Sequence, residues 1–183
     1  PYEQVGTHGM VVDEDGTRFS KTGNMIHFEE AAERIGADAS RYIYLGSLVT
    51  SDVRFGYGLG DDARRRILAF WNIVYFFDLY YSLDLPDLSK TVKTSDPIDL
   101  WLESRINLFV EEATKLYEAY ETANIIKSFD KLVDDVSNYY IRINRKRFWK
   151  SEMNEDKLSA YQGLYQAIKK MIDLRLASES LQD

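Results

Sequence analysis

The run Gly16-Thr17-Arg18-Phe19-Ser20-Lys21-Thr22-Gly23-Asn24 concentrates residue types that handle phosphate. Lys21 carries a compact ammonium on a flexible stem, a point charge suited to an anion. Ser20, Thr22 and the backbone N–H groups around Gly23 add donors, as phosphate-cradling loops do. Arg18 supplies a second cation. The same composition also suits a solvated turn, so the run marks an anion-binding loop and nothing narrower. A second cluster lies far downstream. From Asn138 to Lys150 the chain carries five cations, Arg142, Arg145, Lys146, Arg147 and Lys150, and no acid. On a helix Arg142, Lys146 and Lys150 share one face at i, i+4 and i+8, with Arg145 and Arg147 flanking it. Such a stripe can track a phosphate backbone, which arginine pairs bidentately, or can simply be a solvated face. Trp149 beside it is the ring best placed to stack on a base, whereas Tyr140 and Phe148 read as core.

Other chemistries find little support. The chain has 183 residues, no cysteine and two histidines, His8 and His27, so disulfides and thiolate metal sites are excluded. The histidines lack partners at ligand spacing. Adjacent acids such as Asp61-Asp62 and Asp134-Asp135 point about 100° apart on a helix and do not converge on a metal. Capping or pairing with nearby arginines suits them better. No Ser-His-Asp set, Walker loop or GxGxxG run occurs. A net charge of −7 argues against a generic nucleic-acid binder, yet an acidic chain with one basic stripe can still bind RNA there. No apolar run approaches a membrane span.

The elements that must hold these groups are mainly helical. Residues 1–27 read as extended segments and loops, with a β-like run at His8–Val12 and an acidic turn, Asp13-Glu14-Asp15, before the Lys21 loop. Phe28–Ile35 and Ala37–Leu48 are short helices parted by Gly36. Arg54-Phe55-Gly56-Tyr57-Gly58-Leu59-Gly60 is rich in glycine and reads as a linker. The domains are therefore expected at 1–58 and 59–183. Four long helices follow. The first starts at Asp61-Asp62 and carries Ile67, Phe70, Trp71, Val74, Phe77 and Tyr81 at helical spacing. Asp96-Pro97 signals the start of the second, whose stripe is Leu102, Ile106, Phe109, Ala113, Leu116 and Tyr120. The third runs from about Thr122 to Lys150 on Ile126, Phe129, Val133, Val136, Tyr140 and Ile143. Asn154 caps the fourth, with Leu158, Tyr161, Leu164 or Tyr165, Ile168, and Met171 or Ile172. The expected architecture is a small strand-and-loop segment followed by an antiparallel four-helix bundle.

The Lys21 loop resembles the Lys-Met-Ser-Lys-Ser signature of class I aminoacyl-tRNA synthetases. Arg18, Phe19, Ser20, Lys21 and Thr22 stand at its five positions, and Gly23-Asn24 matches the usual continuation. Arg18 keeps the charge of the first lysine and Phe19 replaces methionine; Met25-Ile26-His27-Phe28 lacks the proline common there. A second block, Val133-Asp134-Asp135-Val136-Ser137-Asn138-Tyr139-Tyr140-Ile141-Arg142 leading to Arg145-Lys146-Arg147-Phe148-Trp149, is similar to the anticodon-binding helical domain of the isoleucyl branch. Gly36-Ala37-Asp38-Ala39-Ser40-Arg41 and Leu100-Trp101-Leu102-Glu103-Ser104-Arg105 fall in family order between them.

The resemblance implies a parent enzyme that activates isoleucine with ATP and Mg2+ and transfers it to tRNA. It assigns Ser20 and Lys21 to catalysis and Arg18, Ser20, Lys21 and Thr22 to ATP. It assigns Arg142, Arg145, Lys146, Arg147, Trp149 and Lys150 to the isoleucine tRNA. The other expected partner is the remainder of the synthetase chain, in the cytoplasm and away from membranes. His8 and His27 cannot form the family's His-Ile-Gly-His-like motif. The chain is thus expected to be a C-terminal piece that makes no adenylate alone and holds no ATP tightly. A valyl or leucyl enzyme, or a free-standing helical RNA- or protein-binding module, are the alternatives.

Overall fold

The computed structural model describes residues 8–21, 23–90, 92–150 and 152–179, with side chains through residue 173 in the last helix. The chain is mainly helical with a small two-stranded parallel sheet. It divides into two compact units, Pro1–Leu68 with Lys115–Lys127, and Ala69–Thr114 with Ser128–Asp183.

In the first unit β1 (Val11–Val12) pairs parallel with β2 (Val53–Arg54), Val11 opposite Val53 and Val12 opposite Arg54. Parallel strands need a crossover, and α1 (Phe28–Arg34) and α2 (Ala37–Leu45) supply it. Gly36 joins them at φ 89°, a backbone region that a side chain disfavours. Ile35, Ala39, Phe55 and Ala63 form the buried core, flanked by Ile26, Tyr42, Ile43 and Ile67. The glycine-rich stretch is not a linker. Val53–Arg54 is β2, Phe55 is buried, and α3 begins at Tyr57, four residues before the expected acidic start, and runs to Asp84. The glycines serve close approach instead, since a Cβ on Gly60 would stand 2.8 Å from Ile35 Cγ2.

α4 (Pro97–Glu118) starts as the Asp96-Pro97 signal predicts, with Asp96 Oδ1 accepting the Ile98 N–H at 2.8 Å. It ends before Tyr120, which leaves the apolar stripe. Tyr120 N–H donates to Tyr117 O at 3.0 Å and Glu121 N–H to Leu116 O at 2.8 Å, the paired bonds of a Schellman close. Tyr120 takes the left-handed position, φ 59°, and points to solvent.

In the second unit the buried residues include Phe70, Ile73, Leu102, Ile106, Phe109, Leu132, Val136, Tyr140, Phe148, Tyr161 and Leu164. Ile73 rather than Trp71 faces this core, and Trp71 is exposed. The expected third helix is interrupted. α5 (Thr122–Asp134) passes into a π-helical segment, Asp135–Ile141, and then into α6 (Arg142–Trp149). Wider i→i+5 turns shift the phase of everything after them. Tyr140 and Ile141 both turn inward, Ile143 turns outward, and Asn144, Arg147 and Phe148 become the buried face of α6. Asn154 caps α7 (Glu155–Glu179) through its Oδ1, which accepts the Lys157 N–H at 2.8 Å. Leu164 and Met171, not Tyr165 and Ile172, line its buried side.

Candidate nucleotide loop and nucleic-acid interface

The loop is built from β1 outward. After Val12 the chain turns at Asp13–Gly16 and returns through an antiparallel bridge between Val12 and Arg18. Asp13 is the organiser. Its Oδ1 accepts the N–H groups of Thr17 at 2.7 Å and Asp15 at 3.1 Å, and its Oδ2 accepts from the Asn24 side-chain amide. One carboxylate thus ties both ends of the loop. Between them a turn closes, with the Gly23 N–H donating to Ser20 O at 3.1 Å. Arg18, Ser20 and Lys21 are exposed, and Thr22 lies outside the described residues. The arrangement presents a guanidinium, a hydroxyl and an ammonium on a short anchored loop, a group able to meet an anion in solvent.

Glu14, which sequence reading passed over, reaches from this turn to the start of α3. Its Oε1 accepts the Leu59 N–H at 2.8 Å. Leu59 stands in the first turn, where backbone donors lack helical acceptors. The residue pattern Gly56-x-Gly58 was the available signal, because a Cβ on either glycine would collide with the Glu14 side chain.

The basic stretch divides into two groups. Arg142, Arg145, Lys146, Trp149 and Lys150 are exposed, Trp149 at 59%. Among the described residues, none of these four cations has an ion-pair partner. Arg142, Arg145, Lys146 and Trp149 lie on the three- and four-residue spacings of one helical face. Lys150 has left the helix, with ψ 136°, so the i+8 continuation of the stripe stops at Trp149.

Arg147 belongs to the other group and is withdrawn from the candidate contacts. Its guanidinium grips Asp99 with two hydrogen bonds, Nη1 to Oδ1 at 2.8 Å and Nη2 to Oδ2 at 2.9 Å. Nη1 also donates to Asn144 Oδ1 at 2.9 Å, and Nη2 to Asp156 O at 2.6 Å. Tyr140 Oη and Ser159 Oγ both donate to the Asp99 carboxylate at 2.8 Å. Burial pushes the Asp99 pKa up, but the bonds from Arg147, Tyr140 and Ser159 outweigh it and hold the carboxyl below its usual range. Burial and the neighbouring Asp99 charge push the Tyr140 phenol well above its ordinary value. The set is an ionised, internally satisfied lock, with Arg147 Nε its one orphaned buried atom among the described residues. The missed signal was Asp99 itself, an acid three residues before Leu102 on a buried stripe.

Against known proteins, residues 1–56 match the family of class I tRNA synthetases (I, L, M and V). Residues 99–175 match the anticodon-binding domain of tRNA ligase. The chain belongs to the class I tRNA synthetases. Among its relatives are isoleucine–tRNA ligases. That of Thermus thermophilus is 36% identical over 173 residues, covering 91% of this chain and 17% of the relative. Those of Archaeoglobus fulgidus and Clostridium tetani are 34% and 31% identical, each over 92% of this chain and 17% of the relative. The chain therefore spans about one sixth of the length of these relatives.

Proposed function

We propose that this chain is the part of an isoleucine–tRNA ligase that closes over ATP and grips the anticodon arm of the isoleucine tRNA. The observation that carries the reading is the order of the two matched segments. A synthetase segment holding the Lys21 loop precedes an anticodon-binding segment holding the exposed cations of α6. In this reading residues 1–58 end the catalytic domain, and residues 59–183 form an antiparallel four-helix bundle. The buried stripes of α4, the α5–α6 run and α7 support that bundle.

Lys21 and Arg18 would bind the triphosphate, with the Ser20 and Thr22 hydroxyls donating to it. Their contribution to the chemistry is electrostatic, since charge develops on the phosphates as the carboxylate of isoleucine attacks the α-phosphorus. No group of three or more acids or histidines among the described residues fits a metal ion. Mg2+ would arrive on the phosphates, as it commonly does. Arg142, Arg145 and Lys146 would contact tRNA phosphates, Lys150 would extend that contact, and Trp149 would stack on a base. The remainder of the synthetase chain is the other partner. The setting is the cytoplasm, and no described helix is long and apolar enough to cross a membrane.

The test is amino-acid-dependent ATP–pyrophosphate exchange by the full-length enzyme, with isoleucine, valine and leucine offered separately. Isoleucine-dependent exchange that collapses in Lys21→Ala, while tRNA binding holds, supports the reading. Equal loss of exchange and tRNA binding, or preference for valine or leucine, contradicts it.

A further inference from the structure

The acidic turn before the Lys21 loop contains a carboxylate that the phosphate chemistry does not use. Glu14 extends away from the loop and lodges against the first turn of α3, where Oε1 accepts the Leu59 N–H at 2.8 Å. Its seat has the shape of the side chain. A Cβ at Gly56 would fall 2.3 Å from Glu14 Cγ, and one at Gly58 would fall 2.9 Å from Oε1. The Glu14 carbonyl is held as well, accepting from Arg54 Nη1 at 3.4 Å, and Arg54 lies on β2 immediately before α3. Around the turn, Asp13 secures Thr17 and Asn24 on the loop side. Adjacent acids therefore divide the work. Asp13 shapes the loop internally, and Glu14 fixes it to an outside element.

We infer that Glu14 is a positioning residue for the phosphate-binding loop, setting where Lys21 stands by docking in the glycine cradle at the start of α3. The inference rests on the ATP role proposed for Lys21. A charged carboxylate is favoured at a helix N-terminus, and both cradle glycines belong to a segment with no other evident need for them. Gly58 is the second residue of α3 and its backbone is not left-handed, so its conformation does not call for glycine. Its presence there is explained by the carboxylate it admits. Glu14 touches no reacting atom; it acts through the loop that does.

The cradle allows a test that separates positioning from simple folding. In the full-length enzyme, Glu14→Ala and Gly58→Ala are made singly and together, with Lys21→Ala as reference, and isoleucine-dependent ATP–pyrophosphate exchange is measured. Gly58→Ala is compatible with the helical backbone while displacing the carboxylate, so a merely structural role predicts an unharmed enzyme. The positioning role predicts that each single change slows exchange by roughly 10- to 100-fold. The double variant should be no slower than Glu14→Ala, because both changes break one contact. The melting temperature of Gly58→Ala should hold or rise, and the KM for isoleucine should stay unchanged. Exchange within twofold of the wild type in either single variant, or multiplicative losses in the double, overturns the inference while Lys21→Ala still reports on the loop. Undiminished exchange in Lys21→Ala removes the ATP reading, and the Glu14 assignment with it.

Discussion

Arg147 on α6 and Asp99 on α4 face each other through two parallel hydrogen bonds of 2.8 and 2.9 Å, with both side chains buried. This pairing decides which cations of a basic stretch can meet a ligand. Arg147 is fixed to the protein interior, and its neighbours Arg145 and Lys146 are left to solvent.

Removing Asp99 takes away the buried partner of Arg147 and leaves it only the more exposed Asp156 and Asp96 carboxylates, at 2.9 and 4.0 Å. Asp99→Asn is expected to lower stability at neutral pH by about 3–5 kcal/mol. Burial opposes ionisation of Asp99, but the Arg147, Tyr140 and Ser159 bonds overcome it and depress the pKa in the folded state. Its contribution is therefore complete above the unfolded value of about 3.9 and is lost as pH falls through the lower folded one. Urea unfolding followed from neutral pH into acid should show a shallower decline in Asp99→Asn than in the wild type. Parallel curves would contradict the assignment.

The opposite sign is expected at the end of α4. Tyr120 occupies a left-handed position, φ 59°, that costs a non-glycine residue about 1–2 kcal/mol, and its ring is 64% exposed. Tyr120→Gly should raise stability by about 1 kcal/mol, read as a higher urea midpoint at unchanged slope. A lower midpoint would show that the ring contributes more than its backbone strain removes.

Two adjacent aromatics separate core from contact. Phe148 is 1% exposed and packs edge-on against Phe76 at 5.2 Å and Tyr161 at 5.0 Å. Phe148→Ala should cost about 3–5 kcal/mol of folding stability. Trp149→Ala should change stability by no more than about 0.5 kcal/mol. In the full-length enzyme it should weaken tRNA binding by about 1–3 kcal/mol, the value of a stacked base. Thermal melts and filter binding on the same two variants check this. A strongly destabilised Trp149→Ala would place that ring in the fold instead.

Much of this was legible from residue order. Local signals with a single physical meaning were read correctly, among them the Asp96-Pro97 helix start, the Asn154 cap and the apolar stripe from Leu102 to Ala113. Failures came where a distant partner set the local structure. Gly56 and Gly58 look like linker residues until Glu14, more than forty positions earlier, is seen between them. The stripe through Val133 and Val136 extrapolates to Ile143 only if the helix is regular. The π-helical segment breaks that assumption, turning Arg147 inward and Ile143 outward. The exposed cations and Trp149 were visible as a cluster, but which of them were free depended on Asp99 and could not be read from spacing.

The most direct test is binding of the full-length enzyme to the isoleucine tRNA over a salt series, with the triple variant Arg142→Gln/Arg145→Gln/Lys146→Gln beside it. An anticodon-altered transcript serves as the control. Binding should be salt-sensitive and should weaken on the altered transcript. In the triple variant the slope of log K against log salt should fall by about 0.7–0.9 for each phosphate that is no longer neutralised. An unchanged slope and undiminished anticodon preference in the triple variant would contradict the assignment of α6 to the tRNA.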